Sequence, residues 1–331
     1  MSFDNIKLEK GLYTTSKGFT AALEELDPSE NYIGTELEGL DAYQRQLKRF
    51  DIKVSGAGSD TVSKFFQTSD SAALFPEYVS RAVRAGIEEN SVVDKIVATT
   101  TEIDSLDYRA ITVDNSFDEL SLDKVAEGAF IPEMVIKTKD SLTPLVKRGK
   151  MLVASYEAIK FQKLDLFTIM LKKIGDSIAY SQFLDAYKVL IGTISEDSVL
   201  SVEGLTYADL IDFWSRFAPY NLNTIIANGK HIADILKLSE FRDAAAGLNF
   251  HANGTLVTPF GAEIVRIDDT NGVDAIIGID KNYALEKVQA GGVVTDYDKL
   301  IDRQLERASI STITGFSAMF PEAVCAMTVS D

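Results

Sequence analysis

The chain has 331 residues, a hydrophobic content of 46% and a formal net charge of -17. This length is typical of about two domains with a sizeable core. The 50 acidic residues outnumber the 33 basic ones, which argues against a dedicated nucleic-acid-binding protein, because such a protein needs a basic face. The single cysteine, Cys325, excludes an intrachain disulfide. No signal-peptide pattern and no run of about 18 apolar residues is found, so we expect a soluble protein.

The amino-terminal region, residues 1 to about 60, is polar and acidic, with short helical patterns at Ser16–Leu26 and Thr35–Phe50. It contains too few apolar residues to form a core of its own. We therefore expect an arm that lies on the rest of the protein, or a segment that is removed. Pro76 opens the next apolar-periodic stretch, which predicts a helix that ends at about Glu89.

The next region is rich in Val, Ile, Thr and Tyr, which predicts strands at Val92–Thr101, Leu106–Val113 and Met134–Ser155. The polar stretch Asp114–Gly128 separates them, and two antiparallel arms around a polar tip predict an extended hairpin. No local pattern shows where such a hairpin packs, so we expect it to contact a neighbouring molecule. Its returning arm carries a basic cluster, which indicates either a solvated strand face or attraction to an acidic surface on a neighbour. The members of this cluster are Lys137, Lys139, Lys147, Arg148 and Lys150.

A single long helix is predicted from about Glu157 to Leu190. Its apolar residues recur at steps of three to five and approximate one helical face, at Phe161, Leu164, Phe167, Leu171, Ile174, Ile178, Phe183, Tyr187 and Leu190. Further apolar residues widen this face, so we expect the helix to pack on the protein over most of its length. They are Leu166, Ile169, Met170 and Ala179. Gly175 costs about 1 kcal/mol relative to Ala in a helix interior, which indicates close packing there.

The region from residue 200 to 290 alternates between helical and strand patterns, as in an α/β unit. Thr206 and Asp209 have the spacing of a capping box and predict the start of a helix that ends near Phe217. A short strand is predicted at Leu222–Ala227, followed by a helix that begins at Asn228-Gly229.

The last part of the chain has one turn signal and one clear strand. Asn271-Gly272 lies between strand patterns at Thr255–Ile267 and Val273–Ile279, which predicts a hairpin. Val293–Ser317 mixes polar and apolar residues without a clear period, and Ala323–Val329 is predicted as a closing strand.

The sequence contains no motif of a catalytic, nucleotide-binding or metal site. His231 and His251, the only histidines, have no ligand partners at metal-binding spacing, so structural roles are predicted. The stretch Asp268–Asp274 is predicted to be a plain turn, because Ile267 would occupy the first ligand position of a calcium loop. Cys325 lies in an apolar strand and is predicted to be a core residue. We therefore expect no catalytic residues, no cofactor and no metal, in a protein that is not an enzyme.

Three segments together resemble the major capsid proteins of tailed bacteriophages (Caudoviricetes), whose fold is named after phage HK-ninety-seven. They are Ala126–Glu133, the basic strand after it, and Ser155-Tyr156-Glu157-Ala158 leading into the long helix. In that family an AEGA-x-x-PE run lies in the returning part of an extended loop. An S-x-x-A motif leads into the spine helix.

Looser matches follow in the second half of the chain. Leu256–Gly261 and Ile277–Asp280 are similar to two strands of the family's axial domain, although Phe260–Ile264 replaces part of the pattern. Phe320–Val324 is similar to the closing R-P-x-A strand, with Phe320 in place of Arg. The resemblance covers residues 70 to 331.

The resemblance implies an α+β capsid fold of the HK-ninety-seven type, with a long spine helix, peripheral and axial domains, an extended loop and an amino-terminal arm. The implied boundaries are 1–70 for the arm, 104–148 for the extended loop, 196–290 for the axial domain, and 71–103, 149–195 and 291–331 for the peripheral domain with its spine helix at 157–190.

The implied function is that of a structural protein, which self-assembles as pentamers and hexamers into an icosahedral phage head around double-stranded DNA. The implied partners are further copies, a portal, a scaffold or decoration protein, and DNA bound without sequence specificity, with no membrane. The implied location is the virion capsid, assembled in the host bacterial cytoplasm. The residues expected at subunit contacts are Lys124, Lys137, Lys139, Lys147, Arg148 and Lys150.

Two alternatives remain open on the sequence. One is an encapsulin-type nanocompartment shell protein, which resembles the same fold; no cargo-peptide groove is recognised here. The other is a soluble cytoplasmic enzyme whose site carries no known motif.

Some members of the family join a lysine of the extended loop to an asparagine of the peripheral domain through an isopeptide bond. Counting back from Pro321, the asparagine's place falls near Gln304, and no asparagine follows Asn282. Lys124 is the only lysine near the polar tip. A glutamine is one methylene longer and would misplace the attacking amine by roughly 1 Å, enough to slow the reaction about a hundredfold. The sequence therefore predicts a shell without covalent crosslinks.

Overall fold

The computed structural model of the protein describes residues 3–14, 18–89, 91–113, 124–130, 136–155, 157, 161–242, 256–268 and 273–330. The chain forms two compact units. The first unit comprises Met1–Asn90, Lys147–Ala179 and Gly292–Thr312. The second comprises Ser91–Val146, Tyr180–Gly291 and Ile313–Asp331.

Helices and strands are numbered in chain order. Helices α1 to α8 span Phe19–Leu26, Ala42–Arg49, Ser69–Ala72, Phe75–Glu89, Leu164–Thr193, Tyr207–Ser215, Gly229–Lys237 and Ser239–Arg242. Strands β1 to β12 span Thr99–Ile103, Ile111–Val113, Ile136–Thr138, Leu145–Ser155, Val199–Glu203, Thr224–Ala227, Glu263–Arg266, Ile276–Ile279, Leu285–Ala290, Val294–Leu300, Leu305–Ala318 and Val324–Ser330.

The core of the first unit is built on α4 and the first half of α5. The amino-terminal region packs on it, since Leu8, Leu23 and Phe65 are buried in one apolar cluster with Val83 and Leu171. The few apolar residues of this region therefore suffice, because helices later in the chain supply the rest of the core.

Helices α4 and α5 touch through glycine at their crossing. A Cβ atom on Gly175 would lie 2.2 Å from the carbonyl oxygen of Val83, and one on Gly86 would lie 2.2 Å from that of Lys172. Neither distance leaves room for a methyl group. The close packing predicted at Gly175 is confirmed.

The long helix α5 begins at Leu164 and not at Glu157, and it ends at Thr193. The backbone just before it is extended, because Val62 donates to the carbonyl of Gln162 at 2.9 Å and Leu164 donates to that of Asp60 at 2.8 Å. Because residues 162–164 pair with residues 60–62, the helix begins later in the chain than predicted. The sequence of the helix alone does not reveal this distant partner.

The apolar face of α5 is only partly covered. Leu171, Ile178 and Ala179 are buried, as expected for a helix that packs on the protein. The prediction that Leu166, Ile169 and Met170 widen the buried face is wrong for the single chain, because all three are exposed. Phe161 is also exposed and precedes the helix.

The second unit contains a sheet with the strand order β5-β12-β8-β6-β7. The predicted Asn271-Gly272 hairpin is wrong, because β6 lies between the two strands and pairs with β7 in parallel and with β8 in antiparallel orientation. All four residues of β6 are buried, as expected for a central strand. Because β6 lies between β7 and β8 in the sheet, these two consecutive strands do not pair with each other. The closing strand is confirmed as β12, which pairs with β5 and β8.

Local signals in this unit are confirmed. Thr206 caps α6 by accepting from the backbone of Asp209, whose carboxylate accepts from the backbone of Thr206 at 2.9 Å. Asn228 caps α7 by accepting from the backbone of His231 at 2.8 Å.

The stretch Val293–Ser317, which shows no clear period, forms β10 and most of β11. The two strands pair from Val294 opposite Ser311 to Leu300 opposite Leu305. The alternation of β11 is hidden in the sequence, because Thr312 and Thr314 are buried at positions where an apolar residue is expected.

The predicted hairpin has a shorter paired region than expected. Its antiparallel pairing joins only β2 to β3 in the described residues, and the tip at residues 114–123 lies outside them. The flanking strands have other partners, since β1 pairs with β9 and β4 pairs with β11.

Candidate assembly surfaces

The base of the hairpin is fixed to the second unit by polar contacts. The Tyr108 hydroxyl donates to the Glu286 carboxylate at 2.6 Å, and Thr101 donates to the same oxygen at 2.5 Å. On the returning arm, the Lys139 ammonium donates to the Ala318 carbonyl at 2.5 Å. Both arms of the hairpin are therefore attached to β9 and β11, which sets the direction in which the hairpin leaves this unit.

Lys139, which was predicted to contact a neighbouring copy, thus has a hydrogen-bond partner in its own chain. It is half-buried, and burial lowers the pKa of its ammonium, while the negative charge of Glu286 opposes that shift. Burial also raises the pKa of the Tyr108 hydroxyl, helped by its hydrogen bond to Glu286. The contact is therefore a partly desolvated polar cluster in which Lys139 positions the hairpin.

Beyond its base the hairpin exposes apolar side chains. Ile111 and Ile136 on the two paired strands are both exposed, and Phe130 near the tip is 101% exposed. Lys124 and Lys137, two of the predicted contact residues, are exposed on the same hairpin. The exposed Phe and the exposed Ile on both strands make the hairpin a candidate contact surface.

Strand β4 holds the other three predicted contact residues in the first unit. Lys147 and Lys150 are exposed and Arg148 is half-buried. In the described part of the chain, neither lysine forms an ion pair. The same strand exposes Met151 and Val153, at 54% and 53%. The structure therefore places the six basic residues in two groups, one on the hairpin and one on β4.

An acidic segment, here called the acidic loop, runs from the last turn of α1 to the residue before α2, at residues 24–41 of the first unit, and the sequence reasoning missed it. Every charged residue between Phe19 and Gln44 is acidic, a pattern that a scan of charge along the chain would find. Glu30 and Glu36 are exposed and have no ion pair with a described residue. The loop also exposes Leu26 and Ile33, the latter at 72%.

A single buried guanidinium holds the acidic loop in place. Arg45 is fully buried, and its Nε donates to the Asp27 carboxylate at 2.7 Å while Nη1 donates to the Leu40 carbonyl at 2.5 Å. Its guanidinium also lies 4.4 Å from the ring centroid of Tyr32. These contacts tie both ends of the loop to α2, so its exposed side chains are presented by a fixed backbone.

Two of the residues weighed as possible ligands or nucleophiles, His231 and Cys325, are buried. The Nε2 atom of buried His231 lies 2.8 Å from a carboxylate oxygen of Asp274. Cys325 is buried as predicted, and burial raises the pKa of its thiol. His251 lies outside the described residues. No cluster of potential metal ligands occurs among the residues that the structure describes.

Two further findings concern the described residues. None of the helices there combines the length and the apolar character that a membrane crossing requires. Gln304, the place of the crosslinking asparagine in the family, is exposed in the turn between β10 and β11 with a φ of 52°.

The fold is similar to that of solved capsid structures. A chain in the capsid of a native GTA particle matches 73% of this chain and 91% of its own length, with a TM-score of 0.55 and 12% identity. The capsid of an empty GTA particle matches with a TM-score of 0.52 and 11% identity, over 73% of this chain and 90% of its own. The capsid of cyanophage P-SCSP1u matches with a TM-score of 0.51 and 11% identity, over 72% and 88%.

The sequence itself matches no family model and no curated protein. The similarity to these capsid chains is therefore one of fold. The predicted fold class is confirmed: the chain has an α+β fold of the HK-ninety-seven capsid type, with a long helix.

Proposed function

We propose that the protein is the major capsid protein of a tailed bacteriophage, with a structural and not an enzymatic role. In this proposal it assembles as pentamers and hexamers into an icosahedral shell. The observation that carries the proposal is the fold match, which extends over 91% of a capsid chain.

The surfaces of the single chain support assembly. The hairpin exposes Phe130, Ile111 and Ile136, and helix α5 exposes Ile169 and Met170. Burying such side chains yields roughly 1.5–3 kcal/mol each, so an isolated chain leaves a large stabilisation unused. In an assembled shell, contacts between copies would bury these side chains and provide that stabilisation.

The proposed domain roles follow the resemblance. Residues 1–70 act as an arm, the hairpin at 104–148 reaches a neighbouring copy, and 196–290 form the axial domain, whose sheet includes the closing strand β12. The remaining residues, apart from β12, form the peripheral domain around α5. Lys124, Lys137, Lys147, Arg148 and Lys150 contact neighbouring copies, and Lys139 orients the hairpin.

The proposed partners beyond further copies are a portal, a scaffold or decoration protein, and packaged double-stranded DNA. DNA is enclosed without sequence-specific contacts in this proposal, and the net charge of -17 gives the chain as a whole no electrostatic attraction to phosphates. Assembly takes place in the host bacterial cytoplasm, and the mature location is the virion.

Negative-stain electron microscopy and sedimentation of the purified protein test this proposal. Closed particles of uniform size are expected, and a monomer at all concentrations would contradict a shell function. In particles from infected cells, nuclease-resistant DNA supports a phage head, whereas an enclosed protein cargo would favour the encapsulin alternative.

A matched pair of variants tests the hairpin's part in assembly. Phe130→Ser should lower the particle yield severalfold without changing the denaturation midpoint, because this side chain is fully exposed in the described part of the chain. Glu127→Ser, an exposed neighbour on the same hairpin, should assemble normally. Equal yields for the two variants would remove Phe130 from the contact.

A further inference from the structure

Strand β4 presents an uncovered surface of mixed character. Lys147 and Lys150 are exposed without an ion pair in the described part of the chain, and Met151 and Val153 are about half-exposed. Because successive side chains of a strand point to opposite faces, Lys147, Met151 and Val153 share one face and Lys150 lies on the other. Long exposed strands with apolar side chains are normally covered in a folded assembly. Among the described strands β4 pairs only with β11, so its other edge is free and a partner that docks there can reach residues of both faces.

The acidic loop has the complementary character. Glu30 and Glu36 are exposed and carry no ion pair with a described residue, and Leu26 and Ile33 are exposed next to them. The loop backbone is held by buried Arg45, so docking would not first have to order it. Along this fixed segment of backbone, exposed carboxylates and exposed apolar side chains thus alternate in sequence.

Charge complementarity identifies the partner of β4 as another copy of this chain. Copies of a protein with a net charge of -17 repel one another, and local pairs of opposite sign at a contact reduce that repulsion. The lysines of β4 and the glutamates of the acidic loop supply such pairs, and no ion pair joins them within one copy. Leu26 and Ile33 match Met151 and Val153 in apolar character.

We propose that the acidic loop of one copy docks on β4 of a second copy, with Glu30 and Glu36 facing Lys147 and Lys150. The proposal rests on the proposed shell function, because it needs copies that assemble. Beyond the shell function, this inference names the acidic surface on the neighbouring copy that Lys147 and Lys150 contact. DNA phosphates would also attract the two lysines, but they offer no apolar contact to Met151 and Val153.

Reciprocal charge reversal tests the pairing. The β4 variant Lys147→Glu/Lys150→Glu and the loop variant Glu30→Lys/Glu36→Lys should each raise the critical assembly concentration about tenfold, equal to about 1.4 kcal/mol. Each replaces attraction by repulsion between side chains that are exposed in the single chain, so folding is unaffected. The combined four-residue variant restores opposite charges and should assemble within about twofold of the wild type.

The control is Lys188→Glu/Lys281→Glu, which changes the net charge as the β4 variant does. Both lysines are exposed, and neither lies on β4 or on the acidic loop. It should assemble within about twofold of the wild type. Denaturation midpoints, measured for all variants, should equal that of the wild type.

The outcomes separate this inference from the proposed function. If wild-type protein forms no particles, both fail. If the wild type assembles but the combined variant remains as defective as the β4 or loop variant, the docking fails and the shell function stands. A tenfold effect of the control overturns the docking, since it would show a general charge effect. Normal assembly of the β4 variant with reduced DNA content also overturns it, in favour of DNA contact.

Discussion

The glycine contact between α4 and α5 yields the sharpest stability prediction. In Gly175→Ala the new Cβ atom would lie 2.2 Å from the Val83 carbonyl oxygen and 2.8 Å from the Ile87 nitrogen, whereas ordinary contact begins at 3.4 Å. Both neighbouring atoms belong to the backbone of a helix and cannot rotate away. The two helices must therefore separate by about 1 Å, the difference between these distances.

The magnitude follows from the packing that this separation loosens. Val79, Val83, Leu171 and Ile178 are buried in the shared cluster. A gap of 0.5–1 Å forfeits about a quarter to a half of a contact's energy, and each buried side chain contributes roughly 2 kcal/mol. The loss is then about 2–4 kcal/mol. Alanine's better helix propensity returns about 1 kcal/mol, so the expected net destabilisation is about 1–3 kcal/mol.

Gly192→Ala is the matched control in the same helix. A Cβ atom at Gly192 would meet nothing within 4 Å, so only the propensity gain applies. The control should stabilise the protein by up to about 1 kcal/mol, the opposite sign.

Urea denaturation of the unassembled protein, followed by far-ultraviolet circular dichroism, measures both variants. If Gly175→Ala were as stable as the wild type or more stable, the close contact between α4 and α5 would be refuted.

Four further results are expected. Burial raises the pKa of Tyr78 from 10.0 to about 12, so the folded chain holds this proton more tightly and the unfolding free energy should fall as pH rises from about 10 to 12. Tyr78→Phe should make that fall shallower in denaturation experiments. Asp280→Ala should cost about 1–3 kcal/mol in the same assay, because the buried Asp280 carboxylate accepts from the Asn221 backbone at 2.9 Å and the Asn223 amide at 2.7 Å. Deleting Asp114–Asp123, outside the described residues, should leave a cooperatively folded protein that forms no particles; loss of folding on sizing and denaturation would contradict this. Mature particles boiled in detergent should run as one band near 36.3 kDa, and a ladder with a Lys124–Gln304 peptide would overturn the uncrosslinked shell.

Local patterns predicted those parts of the fold that local physics decides. The period of the apolar residues gave the long helix, and the spacing of Thr206 and Asp209 gave the cap of α6. Gly175 signalled a close contact because glycine is costly in a helix interior unless something requires the space.

Pairing between distant segments accounts for the misses. The start of α5 depends on hydrogen bonds to residues 60–62, and the Asn271-Gly272 turn does not join a hairpin because β6 inserts between β7 and β8. The strand β11 was missed because Thr312 and Thr314 occupy its buried face. None of these partners is visible in a sequence window.

The sequence showed which basic residues are candidates for subunit contacts, but it did not show which of them lie together on one element of the structure. The basic cluster stood out because the chain is otherwise acidic. Only the structure shows that Lys139 donates to Ala318 in its own chain, and that Lys147 and Lys150 lie on an exposed strand with Met151 and Val153. The acidic loop needs the buried Arg45 contacts to be recognised as a fixed surface.

Electron cryomicroscopy of particles assembled from the purified protein tests the central claim most directly. The proposed function predicts closed icosahedral shells in which this fold repeats in five-fold and six-fold clusters. In such a map, the hairpin of each copy should cover part of its neighbour. A protein that remains monomeric at every concentration, or that forms open aggregates without repeated subunits, would contradict the claim.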